Sequence, residues 1–341
     1  MTGRLISDIN DQAVKDQIIN RKREYTNMHY INELKDGSSI REVYLCKKRQ
    51  AMVTRAGKNY ETLTFQDKTG TIDAKIWDPD SMGIGEFGEM DYVEVSGEII
   101  TYQGHFQLNV RRARLCHEGE YDPANYLPVS ERSVDDMFKT ILKFVDSIEN
   151  PHLNRLLKMF FVEDEEFVKA FKMSSAAKSV HHGFIGGLCE HTLGVAQLCH
   201  FYCKCYPLLK RDLLVSVALL HDIGKVRELS AFPQNDYTEE GQLIGHIVIG
   251  CEMINEKIKE IEGFPPVLAA EVRHCILAHH GEYEFGSPKK PAIIEAAALN
   301  FADNTDAKME IFKEAIMGTT VGDGWIGYQN FLSTNVRKTT L

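Results

Sequence analysis

The sequence predicts two domains of different class, a small all-β barrel followed by an all-α helical bundle, in a chain of 341 residues. Three observations carry this. Apolar residues recur with a period of two from about Arg41 to Leu115, and with a helical period from Ser133 to about Ile316; between these regions lies an aperiodic stretch holding Asp122-Pro123 and Leu127-Pro128. The resulting division is an N-terminal extension (1–37), a barrel (38–117), a linker (118–132), a helical domain (133–317) and a C-terminal tail (318–341), in keeping with a length that suits two domains.

The barrel is read strand by strand. Leu63 and Phe65 alternate with polar residues, Asp67-Lys68-Thr69-Gly70 makes a turn, and Ile72, Ala74 and Ile76 resume the alternation before Trp77. Further strands are expected over Tyr92 to Ile99 and Phe106 to Arg112, separated by a turn at Tyr102-Gln103-Gly104-His105. About five short strands in some 80 residues suit a barrel better than a sandwich. Trp77, ending a strand, is expected to plug it.

The net charge of −10 argues against a broadly basic surface that coats duplex DNA. Basic and acidic residues nevertheless balance between Ser38 and His117, where Lys47, Lys48, Arg49, Arg55 and Lys58 form one basic cluster and Arg111, Arg112 and Arg114 another. If nucleic acid binds, these clusters are where it is expected first. Tyr60, Tyr102, His105 and Phe106 are candidate stacking platforms, each with core packing or a solvated turn as the alternative. The segments Gly57-Lys58-Asn59-Tyr60, Leu63 to Ile72 and Trp77-Asp78 make this region resemble the OB-fold of the tRNA-anticodon-binding type. That resemblance implies a groove that pairs basic side chains with aromatic faces and holds a single strand.

In the helical region Met137, Ile141, Leu142, Val145 and Ile148 mark one amphipathic face, Leu213, Val217 and Leu220 a second, and Ile249, Met253, Ile254 and Ile258 a third. Thirteen histidines are present, and seven of them, His181, His182, His191, His221, His246, His279 and His280, fall near a helix end or a glycine. His29, His117, His152, His200 and His274 read as ordinary surface or core residues. His191, His221, His246, His279 and Asp303 are each more than twenty residues apart, so they can meet only across a bundle core. Imidazole with carboxylate suits Mn²⁺, Fe²⁺, Zn²⁺, Co²⁺ or Mg²⁺, and no cysteine occupies these positions.

The string Leu219-Leu220-His221-Asp222-Ile223-Gly224-Lys225, with His191 upstream and Asp303 downstream, resembles the H…HD…D signature of HD-domain phosphohydrolases. His246 and the His279-His280 pair resemble the binuclear subset, which includes the HD-GYP enzymes. The resemblance assigns His191, His221, Asp222 and Asp303 to one metal ion, and Asp222, as a bridge, with His246, His279 and His280 to a second; which of His279 and His280 faces the ion stays open. A pair of ions can hold a nucleophile and stabilise an in-line displacement at phosphorus. Lys225 could reach a substrate phosphate or lie solvated on the surface. His182 could contact the terminal phosphate, protonate the leaving oxygen or orient a ligand, and Asp306 is either an orienting or a solvated carboxylate.

The segment from His181 to Thr192, together with the barrel and the length, resembles the YhaM family of bacterial 3′-5′ exoribonucleases across about Arg41 to Phe312. This implies single-stranded RNA or DNA as substrate, nucleoside 5′-monophosphates as products, manganese or a similar ion as cofactor, and a homo-oligomeric assembly. Two other readings compete. One is an HD phosphohydrolase of small nucleotides (a dNTP, an alarmone or a cyclic dinucleotide), which leaves the barrel without a purpose. The other is a non-catalytic nucleic-acid-binding factor, disfavoured because purely structural sites close at four ligands. The eight scattered cysteines read as free thiols of a reducing cytoplasm, and no apolar run is long enough for a membrane span. Trp325, Tyr328 and Phe331 in the tail are expected to pack on the bundle.

Overall fold

The computed structural model describes residues 28–102, 104–127, 129–178, 182–317 and 324–340. They fall into two compact units, divided after Pro128. Gln103, His181 and most of the N-terminal extension lie outside the described residues.

In the first unit five strands, β1 (Ser39–Val53), β2 (Asn59–Asp67), β3 (Gly70–Ile76), β4 (Tyr92–Tyr102) and β5 (His105–Leu115), close into a barrel in the order β1-β2-β3-β5-β4. The β3–β5 pairing is parallel, and the other pairings are antiparallel. This is the strand order of an OB-fold. Leu63, Phe65, Ile72, Ala74 and Ile76 point inward against Tyr44, Val93, Val95, Ile99 and Leu108. The β2–β3 turn is tied by Asp67, whose Oδ1 accepts from the backbone of Thr69 (2.7 Å) and Gly70 (3.2 Å). Closure needs Gly97: a Cβ there would stand 2.1 Å from the Asn109 carbonyl oxygen. Beside it a bulge pairs Ser96 with Arg112 and Gly97 with Val110, which leaves Arg111 as the extra residue and exposes both arginines.

Two expectations change here. Trp77 is not a plug, because Ile76 takes the inward position and the next side chain must point out; its indole stacks on Tyr60 with ring centres 5.2 Å apart. The stretch read as a linker is structured up to Leu127: Tyr121 stacks on Tyr92, Gln66 donates to the Tyr126 carbonyl (3.0 Å), and Tyr126 and Leu127 are buried. Its apolar residues were hidden among prolines that break any period.

The second unit is helical: α1 (Val134–Asp146), α2 (Pro151–Phe161), α3 (Glu165–Met173), α4 (Gly187–Cys205), α5 (Arg211–Leu220), the short α6 (Lys225–Glu228) and α7 (Glu239–Leu243), α8 (His246–Glu260), α9 (Pro266–Ala278) and α10 (Ile294–Met317). Ser133, Asn150, Asp164 and Thr238 cap α1, α2, α3 and α7 by accepting from backbone N–H groups of the first turn. Leu213 to Leu220 are all buried, so α5 is the central rod, as a helix apolar on every side must be. A hairpin of β6 (Trp325–Gln329) and β7 (Thr334–Arg337) follows α10. Trp325, Tyr328 and Phe331 are exposed rather than packed on the bundle, and Val336 is the residue this segment buries. No described helix is long and apolar enough to cross a membrane.

Candidate metal centre

The central rod delivers the site. His221 caps the C-terminus of α5 and Asp222 follows it, both fully enclosed. Around them gather His191 from the second turn of α4, His246 from the first residue of α8, His279 and His280 from the end of α9, and Asp303 and Asp306 from one face of α10. Close approach at this point requires glycine. A Cβ on Gly224 would lie 2.1 Å from the His246 carbonyl oxygen, and one on Gly187 would lie 1.9 Å from that of His182.

The two carboxylate oxygens of Asp222 face different histidines. Oδ2 lies 3.5 Å from His191 Nε2 and 3.4 Å from His221 Nε2, whereas Oδ1 lies 3.5 Å from His246 Nε2 and 3.6 Å from His279 Nε2. Asp303 Oδ1 is 3.1 Å from His191 Nε2 and 3.9 Å from His221 Nε2. His280 joins His246 and His279 in a second group of converging donor atoms.

Every one of these imidazoles has its other nitrogen engaged. The Nδ1 atoms lie 2.8 Å from Asp306 Oδ2 (His191), 2.8 Å from the Ala218 carbonyl (His221), 2.8 Å from Glu228 Oε1 (His246), 2.7 Å from the Ile276 carbonyl (His279) and 2.9 Å from the Phe285 carbonyl (His280). A proton on Nδ1 leaves the Nε2 lone pair turned inward, the tautomer of a metal ligand. Asp306 thus orients His191, and it also holds His182 through Nε2 at 3.0 Å. Glu228 does the same for His246 and was not singled out in the sequence, where a glutamate six residues past Asp222 carries no motif.

The donors fit a divalent cation. Ligand atoms 2.0–2.2 Å from one ion lie roughly 3.0–3.6 Å from one another, the separation found for every pair above except His221 Nε2 to Asp303 Oδ1 at 3.9 Å. Asp222 Oδ1, His246 Nε2 and His279 Nε2 are buried without a hydrogen-bond partner, an arrangement that costs stability unless something binds them. The Lys225 ammonium lies 2.7 Å from Asp222 Oδ2, within the field of Asp303 and Glu228. Lys225 is therefore half-buried and paired, not a solvated lysine.

The same crowding sets the protonation of the metal-free site. Burial pushes the His191 imidazole down, but hydrogen bonds to Asp303 and Asp306 outweigh it and raise it to about 10. Burial lowers His221 to about 4, and burial with His279 and His246 nearby lowers His280 to about 4. Asp306 is opposed by burial yet held at about 2 by its hydrogen bonds to His182 and His191.

On the barrel, Lys47, Lys48, Arg55, Lys58, Tyr102, His105, Phe106, Arg111 and Arg112 are exposed, and Tyr60 is half-buried under Trp77. A groove of about 710 Å³ lines Arg111, Arg112 and Arg114 up with Arg41. Arg49 departs from its expected place: its guanidinium grips Glu61 at 2.9 and 3.0 Å and lies 4.0 Å from the centre of the Phe87 ring, so it braces the barrel.

Comparison with known proteins follows the same lines. Residues 188–308 match the family described as the HD domain. A 3′-5′ exoribonuclease YhaM from Geobacillus sp. (strain WCH70) is 36% identical over 84% of this chain and 88% of its own length. A protein of the same name from Bacillus velezensis is 32% identical over 84% of this chain and 90% of its own. The second OB-fold domain of replication protein A from Methanococcus maripaludis covers 27% of this chain and 97% of its own at 18% identity, with a TM-score of 0.22; the barrel assignment rests on strand order and not on that likeness. With the ligand constellation in place and two thirds of each curated relative's length exceeded, the chain belongs to the YhaM family of 3′-5′ exoribonucleases.

Proposed function

We propose that the protein is a metal-dependent hydrolase that removes nucleotides from the 3′ end of single-stranded RNA, releasing nucleoside 5′-monophosphates, with the barrel capturing the strand. The carrying observation is the set of four imidazoles, His191, His221, His246 and His279, each with Nδ1 occupied and Nε2 turned toward Asp222, with His280 beside the last two, inside a chain similar over 84% of its length to a 3′-5′ exoribonuclease. His191, His221, Asp222 and Asp303 would hold one divalent ion, and Asp222, His246, His279 and His280 a second. When bound, such ions neutralise phosphoryl oxygens and lower the pKa of the attacking water. Manganese is the favoured ion, and imidazole with carboxylate also admits iron, cobalt, zinc or magnesium.

The protein's own groups then position the reaction. Asp306 and Glu228 keep His191 and His246 in one tautomer. Lys225, beside Asp222, would meet the anionic phosphate, and His182, bonded to Asp306, would contact the terminal phosphate or leaving oxygen or help orient the site. Lys47, Lys48, Arg55, Lys58, Arg111 and Arg112 would follow the phosphates, while Tyr60, Tyr102 and Phe106 would stack bases; Trp77 joins that set through Tyr60. Eight free cysteines support a reducing, cytoplasmic setting. The exposed Trp325, Tyr328 and Phe331 offer a surface for contact between copies in a homo-oligomer.

The test is a time course with single-stranded RNA labelled at its 5′ end, with Mn²⁺, with EDTA and with His221→Ala. A ladder shortening from the 3′ end only with metal and wild-type protein is expected; an untouched strand would overturn the reading. Asp222→Ala should abolish turnover and leave strand binding largely intact.

A further inference from the structure

We propose that Tyr283 and Phe285 form an aromatic rim that stacks the bases of the last nucleotides of the strand and so seats its 3′ end at the imidazole–carboxylate cluster. This deepens the exoribonuclease reading and rests on it. The two residues belong to the loop that directly follows the ligand pair His279 and His280. Each is 64% exposed, and the Phe285 carbonyl accepts from His280 Nδ1 at 2.9 Å, so the rings spring from backbone that itself touches the site.

The loop is built to be rigid. Gly281 and Gly286 take φ near +80°, which glycine alone adopts freely. The Asn300 amide donates to the His279 carbonyl at 2.7 Å and fills the space against Gly281. The hydroxyl of buried Ser287 donates to the Lys289 carbonyl at 2.7 Å and lies 3.1 Å from the Leu277 carbonyl oxygen. A fixed loop that holds two aromatic faces in water gives up burial that either ring could gain, unless a partner covers them.

A second segment points to the same place. Leu243 (79% exposed) and Ile244 (43%) precede Gly245 and His246, and the His246 and His280 rings lie 5.2 Å apart. Exposed apolar residues thus adjoin each member of one imidazole pair along the chain. The Lys290 ammonium, 5.6 Å from the Tyr283 ring centre, is held there by its ion pair with Glu282 and braces the ring. Exposed aromatic faces stack bases without regard to sequence, because every base has a π-face. Phe301, equally exposed, is excluded: two residues from Asp303 on α10, it lies on the opposite side of that helix.

The experiment compares two 5′-labelled RNA strands, one with ordinary 3′-terminal nucleotides and one whose last two are abasic. Tyr283→Ala/Phe285→Ala should raise KM on the ordinary strand roughly ten- to a hundred-fold, bringing it to the value that wild type shows on the abasic strand, and should not raise the latter further. Tyr283→Phe/Phe285→Tyr, which keeps both rings, should retain the wild-type KM, and Phe301→Ala serves as the unaffected control. With EDTA present, quenching of 2-aminopurine at the 3′ terminus should be lost in the alanine variant, a readout independent of turnover. Equal KM for variant and wild type on the ordinary strand, or an equal loss on both strands, would overturn the rim while leaving the exoribonuclease reading intact. A wild-type protein that shortens no RNA would overturn both.

Discussion

Glu228 and Asp306 decide which nitrogen of His246 and His191 is left to bind an ion, although neither faces the centre of the cluster. Glu228→Ala and Asp306→Ala are each expected to weaken Mn²⁺ binding about 10- to 100-fold, read by titration calorimetry on metal-free protein; unchanged affinity would remove their orienting role. The convergence of the cluster's side chains was legible because an HD pair and isolated histidines at helix ends are rare patterns. Glu228 was not, since its role exists only where α6 meets the start of α8. Arg49 was misread for a related reason: a basic residue in a basic cluster gives no sign that Glu61 waits on the neighbouring strand. His191 also fixes a pH dependence. Its folded pKa, about 10, lies above the unfolded value near 6.5, so its contribution is complete below pH 6.5 and is lost as pH rises toward 10. The melting temperature of EDTA-treated protein should therefore fall between pH 7 and 9, and His191→Gln should flatten that slope.

Among the elements, α5 and its continuation are fixed by contact rather than by propensity. Gly224 sits where the chain passes from the HD pair into α6, with the first turn of α8 against it. Gly224→Ala would drive a methyl into the His246 backbone, costing about 1–3 kcal/mol and moving a ligand. A lowered melting temperature together with weakened metal binding is expected, and a variant that binds metal normally would show that α8 can retreat. The helical and strand periods announced most elements in advance. Trp77 was misplaced although the rule that places it, alternation after Ile76, was available; weight was given to side-chain size over position. The tail escaped because Trp325, Tyr328 and Phe331 look like core residues and are exposed.

At the scale of the molecule, the boundary near Pro128 separates the barrel, proposed to hold the strand, from the unit that carries the imidazole–carboxylate cluster. Residues 129–341 alone should cleave a dinucleotide nearly as well as the full chain, yet lose at least tenfold in kcat/KM on a long strand, and the full chain's advantage should shrink as salt rises; an equal loss on both substrates would remove the capturing role from the barrel. The interval before that boundary reads as a linker in the sequence because tyrosines between prolines show no period, and only the folded barrel reveals the surface they cover. The two halves of the cluster also differ in access to water. His191, His221 and Asp222 are sealed, whereas His246 and His280 are partly open. An ion held by the sealed group would exchange slowly and travel with the protein through its lifetime, and one held by the open group would come and go with supply, so the rate of RNA decay by this chain would be throttled by the free metal around it.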